Sequence, residues 1–288
     1  MSEPGFVSTS RIAVVGLGLM GGSLALALRD RCQSVLGCDQ NPATLEFAHQ
    51  MNLFTRLSSD PAEILPEADI VILATPVKAI LNLIKRLPEL HPGSPIVLDL
   101  GSTKTDIVRA FEDLPPRFDP LGGHPMCGKE VTGFENADMD LFQGSVFAFT
   151  PLERTSKAAR TFAEQLVLTI GAHALWLDPG THDKWSAATS HLPYLVASVL
   201  AGSTPSDAKP LAGSGIRSTT RIAATPASIM LDVLETNQEN ILEQLERFRN
   251  LLDDFTQLLS SGEYTALKTA LVESASKQRE LAASQVDG

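Results

Sequence analysis

A glycine-rich turn near the N-terminus constrains this chain more than any other feature. The apolar run Arg11–Gly16 leads into Gly16-Leu17-Gly18-Leu19-Met20-Gly21, and helical spacing follows over Leu19–Arg29. Strand, glycine turn and helix in this order are typical of the first βαβ unit of a Rossmann-type domain. In such a turn the first glycine permits the bend, the second lets the backbone approach a pyrophosphate, and the third allows close helix packing. All six residues of the motif are therefore candidate contacts of a dinucleotide.

An acid at the end of the second strand indicates which dinucleotide is bound. Asp39 ends the apolar run Ser34–Asp39, 21 residues after Gly18. A carboxylate at this position accepts hydrogen bonds from the adenosine ribose and repels a 2′-phosphate. Gln40 and Asn41 follow it, rather than Arg or Lys. The pattern predicts NAD as the cofactor and makes NADP less favoured.

The hydrophobic pattern changes once along the chain. Up to Asp178, apolar strand-like runs such as Asp69–Ala74 and Pro95–Leu100 alternate with amphipathic helical stretches, which predicts a mostly parallel sheet covered on both faces. The remaining stretches have helical spacing, and they are Trp185–Ala201, Ile229–Leu259 and Tyr264–Ala283. We predict an α/β fold, with a Rossmann-type domain over 1–178 and an all-helical domain over 179–288. Pro179-Gly180 is a candidate hinge between them.

The helical half carries a long apolar stripe. Its residues are Ile241, Leu245, Phe248, Leu251, Leu252 and Phe255. An ordinary helical core and a dimer interface explain this stripe equally well.

Composition excludes several classes of protein. The net charge of -11 opposes binding to a phosphate backbone, so no nucleic-acid partner is expected. No run of about 18 apolar residues predicts a membrane span, and the N-terminus does not resemble a signal peptide. Cys32, Cys38 and Cys127 have no paired spacing, which favours the reducing cytoplasm. No metal site is predicted.

Polar residues at strand ends are candidates for binding and catalysis. Thr75 and Pro76 follow one apolar strand, and Ser102 follows the next. The alternative is that Ser102 or Thr103 only caps the helix that comes after, and the two roles can coexist. His124, within Gly122-Gly123-His124-Pro125-Met126, is expected on a stiff loop and is the best candidate for proton transfer among the histidines.

Two arginines provide a candidate anion site. Arg217 and Arg221 lie four residues apart after Gly213-Ser214-Gly215. On a helix they would share one face and could bind a carboxylate with two hydrogen bonds each. The alternative is a solvated pair on the surface.

The motifs, taken together and in order, resemble those of the prephenate and arogenate dehydrogenases of tyrosine biosynthesis. The resemblance runs from Arg11 to about Arg279 and rests on VVGLGLMGGS, GCDQNP, ATPV, LGSTKTDI, GGHPMCGKEVTG, HDKWSAATSHLP and SGIRSTTRIA. It implies a Rossmann-type domain, a helical dimerisation domain forming a homodimer, and oxidative decarboxylation of a cyclohexadiene. It further implies that His124 accepts the ring hydroxyl proton, that Ser102 contacts this hydroxyl, and that Arg221 binds the substrate carboxylate.

Some positions depart from the family pattern or leave the substrate open. Tyr194 stands where many bacterial members have a second histidine in SHLPH, while His191 is kept as a candidate substrate contact. Glu130 could accept the ammonium group of arogenate, so prephenate and arogenate both stay possible.

Two further hypotheses compete with this resemblance. The β-hydroxyacid dehydrogenases share a GLGLMG-like turn, with Lys184 as the available catalytic lysine. A non-catalytic NAD sensor would have no need of Ser102, His124 and Arg221 together.

Overall fold

The computed structural model describes residues 5–283. Its strands are β1 (Arg11–Val15), β2 (Ser34–Cys38), β3 (Arg56–Ser58), β4 (Ile70–Leu73), β5 (Ile96–Asp99), β6 (Asp119–Pro125), β7 (Val146–Pro151) and β8 (His173–Trp176). Its first helices are α1 (Leu19–Ala27), α2 (Pro42–Gln50), α3 (Pro61–Ile64), α4 (Val77–Leu90), α5 (Thr105–Glu112) and α6 (Lys157–Ile170). The later helices are α7 (Pro179–Ser186), α8 (Leu192–Ser203), α9 (Ser214–Thr220), α10 (Ala227–Thr236), α11 (Gln238–Ser260) and α12 (Tyr264–Ala283).

All eight strands form one sheet in the order β3-β2-β1-β4-β5-β6-β7-β8. Every neighbouring pair is parallel except β6 and β7, which are antiparallel. The order reverses between β1 and β4, and ligands of open α/β sheets bind at the carboxyl ends of strands beside such a reversal. From Pro179 to Ala283 the described residues form helices and no strand. The predicted fold class is confirmed.

Alternate residues of each central strand pack on opposite faces of the sheet. Ile12 and Val14 of β1 join one buried cluster with residues of α1 and α6. Ala13 and Val15 join a second cluster with residues of α4 and α5. Burying a large aliphatic side chain stabilises a fold by roughly 1.5–3 kcal/mol, so these two layers fix the sheet and hold its carboxyl edge rigidly.

Pro179-Gly180 forms the first turn of α7, whose N-terminus is capped when Thr181 N–H donates to Asp178 (2.9 Å), and its role as a hinge stays a prediction. One local expectation was wrong. The single helix expected over Ile229–Leu259 is interrupted at Asn237, where α10 ends. A π-helical turn, Ala187–His191, joins α7 to α8.

Contacts divide the chain into two compact units, residues 1–238 and residues 239–288. The first unit holds the sheet together with helices up to α10, and the second consists of α11 and α12 in its described part. None of the helices within residues 5–283 is both long and apolar enough to span a bilayer.

Candidate active site

The glycine turn forms one wall of an open pocket at the sheet edge. Leu17 N–H and Asn41 N–H each donate to a different oxygen of Asp39, at 2.7 and 2.8 Å. The carboxylate therefore fixes the turn to the end of β2. The pocket has a volume of about 520 Å³. Its lining includes Gly16, Gly18, Asp39, Gln40, Thr75, Pro76 and Arg86.

The residues of this pocket fit an extended dinucleotide. A Cβ at Gly16 would lie 2.7 Å from the Thr75 side chain, whereas a Cβ at Gly18 would meet no atom within 4 Å. Gly18 thus leaves its backbone open to a passing pyrophosphate. Thr75 Oγ1 is buried without a hydrogen-bond partner among the described residues, and a polar atom of a bound dinucleotide would satisfy it.

Thr75 also lines a second, smaller pocket of about 130 Å³. Met20, Pro76 and Ser102 line it as well, together with Val233 of α10. Two pockets that meet at Thr75 suit the adenosine and nicotinamide ends of one cofactor. Leu17 and Leu19 are buried, so only their backbone can face a ligand.

A third pocket, the substrate pocket below, has a volume of about 380 Å³. It is lined by His124, Pro125, Met126, Cys127, Gly128, Lys129, Glu130, Thr189, Ser190, Pro193, Tyr194, Ile222, Thr225 and Met230. The loop after β6 supplies one wall and α8 another. Tyr194 occupies the position at which the sequence departs from the family pattern.

The predicted anion-binding residues are only partly brought together. Arg221 is not among the residues that line the substrate pocket, but it forms an ion pair with Glu130, which does line it. Arg217 is exposed, and its Nε donates to Ala212 O (3.1 Å). His191 is 1% exposed and lies outside the pocket lining. Its Nδ1 contacts Asn237 Nδ2 at 3.1 Å, and its Nε2 has no partner among the described residues.

His124 lies within strand β6, not on the loop that the sequence suggested. Gly123 permits β6 to lie this close to β5, because a Cβ there would stand 2.7 Å from Asp99 O of the neighbouring strand. His124 Nδ1 contacts His182 Nε2 at 2.9 Å. Burial lowers the pKa of His124 well below its ordinary value, and His182, Lys104 and His191 lower it further. The ring is therefore held neutral, as a proton acceptor must be.

The contact between the histidines continues to a buried carboxylate. His182 Nδ1 lies 2.8 Å from Asp183 Oδ1. Asp183 also accepts the backbone N–H groups of Lys104 (2.7 Å) and Thr105 (2.8 Å) at the start of α5. Burial alone would raise the pKa of Asp183, but the hydrogen bonds from His182 and the two N–H groups lower it overall. Asp183 stays ionised and caps α5.

The helix-capping alternative for Ser102 and Thr103 is therefore wrong. Asp183 fills that position, and neither side chain caps α5. Thr103 Oγ1 instead lies 2.8 Å from Thr236 Oγ1 of α10. Ser102 is left on the wall of the small pocket beside Thr75.

A buried ion pair joins the segments that carry Ser102 and His124. The side chains of Lys104 and Asp99 contact each other and are both 0% exposed. Lys104 Nζ also donates to Gly123 O at 2.7 Å. Asp99 accepts the N–H groups of Gly101 (2.8 Å) and Gly123 (3.1 Å). One carboxylate thus holds the loop carrying Ser102 and the strand carrying His124.

Sequence reasoning assigned no role to these four buried residues. His182 and Asp183 stand in the motif HDKWSAATSHLP, and Lys104 stands in LGSTKTDI. Asp99 offered a usable signal, since an acid inside the apolar run PIVLDL must find a buried partner.

Within residues 5–283, no three His, Cys, Asp or Glu side chains come together as a metal site. A dinucleotide-sized pocket at the strand-order reversal, with a neutral histidine lining the substrate pocket, defines a nicotinamide-dependent dehydrogenase.

Comparisons with known proteins agree and are more specific. A family model described as the prephenate dehydrogenase nucleotide-binding domain matches residues 24–176. A second model, the prephenate dehydrogenase dimerization domain, matches residues 178–273. The chain belongs to the prephenate dehydrogenase family, and it is an NAD-dependent oxidoreductase, as the sequence predicted.

Individual relatives cover most of the chain. The prephenate dehydrogenase of Bacillus subtilis (strain 168) is 31% identical over 254 residues, which are 84% of this chain and 68% of the relative. A crystal structure of the A. aeolicus prephenate dehydrogenase in complex with hydroxyphenyl propionate and NAD+ has 27% identity and a TM-score of 0.86, covering 96% of this chain and 99% of that one. The Synechocystis arogenate dehydrogenase has 28% identity and a TM-score of 0.77, covering 94% and 99%.

Proposed function

We propose that this enzyme oxidises prephenate to 4-hydroxyphenylpyruvate in tyrosine biosynthesis, with NAD as the hydride acceptor. The observation that carries the proposal is a neutral His124 on the wall of a pocket that is also lined by Glu130, the ion-pair partner of Arg221. A proton acceptor and a carboxylate-binding cation are what this substrate requires. Relatives that are named prephenate dehydrogenase support it further.

The roles follow from the chemistry of the ring. His124 accepts the proton of the ring hydroxyl as the hydroxyl carbon becomes a carbonyl, and it returns this proton to the phenolate oxygen that forms when the carboxylate leaves. The ring loses a hydride to the nicotinamide of bound NAD and loses its carboxylate as carbon dioxide. Aromatisation drives the reaction, so the protein acts mainly by positioning. Ser102 orients the hydroxyl from the neighbouring loop.

Arg221 binds the substrate carboxylate in this proposal. Its guanidinium is paired with Glu130, so the geometry suits exchange of one carboxylate for another. We place Arg217 and His191 outside direct contact with the reacting ring, because one bonds its own backbone segment and the other lies behind the pocket wall. His191 Nε2 is buried and has no hydrogen-bond partner among the described residues.

The alternative substrate is arogenate. Glu130 lines the substrate pocket, and its carboxylate could pair with the ammonium group of the arogenate side chain. The likeness to an arogenate dehydrogenase supports this alternative.

The decisive test is NADH formation by the purified chain. Prephenate and arogenate are supplied side by side, each with NAD and with NADP, and we expect the highest kcat/KM for prephenate with NAD. A higher kcat/KM for arogenate would show that arogenate is the substrate instead of prephenate. Absence of reduction with both, from a folded chain that binds NAD, would refute the proposal.

A His124→Asn variant serves as the chemical control for the assay. Its turnover should fall roughly 10²–10⁴-fold, the usual contribution of a general base, while NAD affinity measured by fluorescence titration stays unchanged. A variant that loses mainly NAD affinity would contradict the role of His124.

We also propose a homodimer formed through the helical region after residue 178, the boundary between the two predicted domains. Large apolar side chains of α11 and α12 are exposed in the single chain, and they include Leu251, Leu252, Leu259, Leu271 and Val272. A second copy of the chain would cover them. The name of the matching dimerization domain supports this arrangement. Light scattering at micromolar concentration should give twice the chain mass.

We propose the cytoplasm as the location of the enzyme. Three free cysteines, Cys32, Cys38 and Cys127, suit a reducing compartment. Retention of activity in glutathione buffers would agree with this location.

A further inference from the structure

Two buried neighbours on α7, His182 and Asp183, stand behind His124. Their side chains are 2% and 1% exposed. Neither residue lines the substrate pocket, so neither can touch the reacting ring. They nevertheless form an unbroken series of contacts, from Asp183 Oδ1 to His182 Nδ1 (2.8 Å) and from His182 Nε2 to His124 Nδ1 (2.9 Å).

The direction of each hydrogen bond follows from the carboxylate. Ionised Asp183 can only accept, so His182 Nδ1 carries a hydrogen and donates it to this carboxylate. With one hydrogen on the ring, His182 Nε2 has a lone pair, which faces His124 Nδ1 at 2.9 Å and the Ser186 hydroxyl at a longer 3.5 Å. Two lone pairs cannot face each other at 2.9 Å. His124 Nδ1 therefore carries a hydrogen, and His124 Nε2 is left with the free lone pair.

We propose that His182 and Asp183 are positioning residues that fix His124 in the tautomer with its hydrogen on Nδ1. Nε2 is then the nitrogen available to the substrate hydroxyl. This inference rests on the proposed function, since it assumes His124 as the proton acceptor. It goes beyond that function by assigning two residues that never contact the substrate.

The same series of contacts suits the charge that develops during the reaction. The substrate O–H bond breaks and an N–H bond forms at His124 Nε2, so the ring becomes an imidazolium. Its Nδ1–H continues to donate to His182, whose own Nδ1–H donates to Asp183. The Asp183 carboxylate thus stabilises the new positive charge on His124 through the ring of His182. This attraction offsets the repulsion between the imidazolium and the buried ammonium group of Lys104.

Asp183 is a poor target for mutation because it also caps α5 through the backbone of Lys104 and Thr105. His182 is the better target. In His182→Gln, the amide oxygen can occupy the position of Nε2 and accept from His124. In His182→Leu, a side chain of similar size offers no acceptor.

The first measurement needs no activity. Long-range ¹H–¹⁵N correlation spectra of the full chain, labelled with ¹⁵N-histidine and free of ligand, report which ring nitrogens carry hydrogen. The signals of His124 are identified by their loss in His124→Asn. We expect hydrogen on Nδ1 and a bare Nε2. Hydrogen on His124 Nε2 would overturn the inference, whether or not the enzyme oxidises prephenate.

The second measurement compares the two His182 variants in steady-state kinetics. His182→Leu should lose at least about tenfold in kcat, less than removal of the base itself, with little change in KM. His182→Gln should keep the tautomer and recover most of kcat. Equal kcat in the two variants, or losses confined to KM, would refute a positioning role. If the leucine variant does not fold, the spectrum of the glutamine variant decides, and hydrogen on Nε2 there refutes the inference.

The two proposals fail in different ways. A wild-type chain with the expected tautomer that forms no NADH from either substrate would refute the proposed function and leave the tautomer assignment standing.

Discussion

Replacing Lys104 by Met tests whether the buried ion pair holds the site together. Both side chains of the Lys104–Asp99 pair are fully buried. Removal of the cation leaves Asp99 with only the N–H groups of Gly101 and Gly123 as donors. Breaking a buried pair in this way costs about 3–5 kcal/mol. A chain of this size loses roughly 2–4 °C in Tm for each kcal/mol, so Tm should fall by about 6–20 °C.

Thermal unfolding followed by circular dichroism measures this change. Lys85→Met, on the exposed side of α4, is the matched control and should leave Tm within about 1–2 °C of the wild type. The double variant Asp99→Asn with Lys104→Met removes the unpaired charge, and the amide oxygen still accepts one of the two N–H groups. It should therefore be more stable than Lys104→Met alone. A single variant that melts with the wild type, or a double variant that melts lower still, would refute the reasoning.

Three other perturbations follow from the site. Arg221→Ala should raise the KM for prephenate roughly 10–100-fold, the worth of one charged hydrogen bond, and Arg217→Ala should not; steady-state kinetics showing equal effects would remove Arg221 from the site. Asp39→Asn keeps an acceptor for Leu17 N–H and loses the charge, so the preference for NAD over NADP, measured as a ratio of kcat/KM, should narrow about tenfold, or ~1.4 kcal/mol; an unchanged ratio contradicts the ribose role. Burial lowers the pKa of His191 from 6.5 to about 4. The free energy of unfolding is therefore not reduced by this residue above pH 6.5, and it decreases as the pH falls from 6.5 toward 4, because the unfolded chain then binds a proton that the folded chain does not. The loss is about 3 kcal/mol, and denaturant unfolding between pH 7 and pH 4 should show a smaller loss in His191→Gln.

Sequence patterns predicted the elements in which local chemistry and fold agree. The glycine turn and Asp39 need specific residue types at fixed spacing, and the structure places both on one pocket. The apolar runs of β1, β4 and β5 are long enough to be distinguished as buried strands. Strand β6 was missed because its sequence, DPLGGHP, holds two glycines and two prolines and has little intrinsic preference for a strand. It is a strand because β5 and β7 pair with it on either side.

The contacts of His124 with His182 and of His182 with Asp183 could not be predicted from the sequence, for a different reason. His182 lies 58 residues from His124 in the chain, and no periodic pattern connects a residue of β6 with one of α7. Lys104 presents the same difficulty, because lysine is almost never fully buried. Its partner lies five residues away, but only the folded loop shows that both side chains point inward. Contacts of this kind depend on tertiary packing and leave no local signature.

The antiparallel pairing of β6 with β7 keeps His124 inside the sheet and places the loop after β6 in the wall of the substrate pocket. His124 is supported from within by the sheet and by α7, while the loop after it and helix α8 supply the rest of the pocket wall. Substitutions at Met126, Lys129 or Tyr194 can therefore change which substrate side chain the pocket prefers without disturbing His124. A few substitutions in this wall could change the preferred substrate from a keto acid to an amino acid during evolution. Laboratory evolution of new substrate preferences should therefore concentrate its library on these positions.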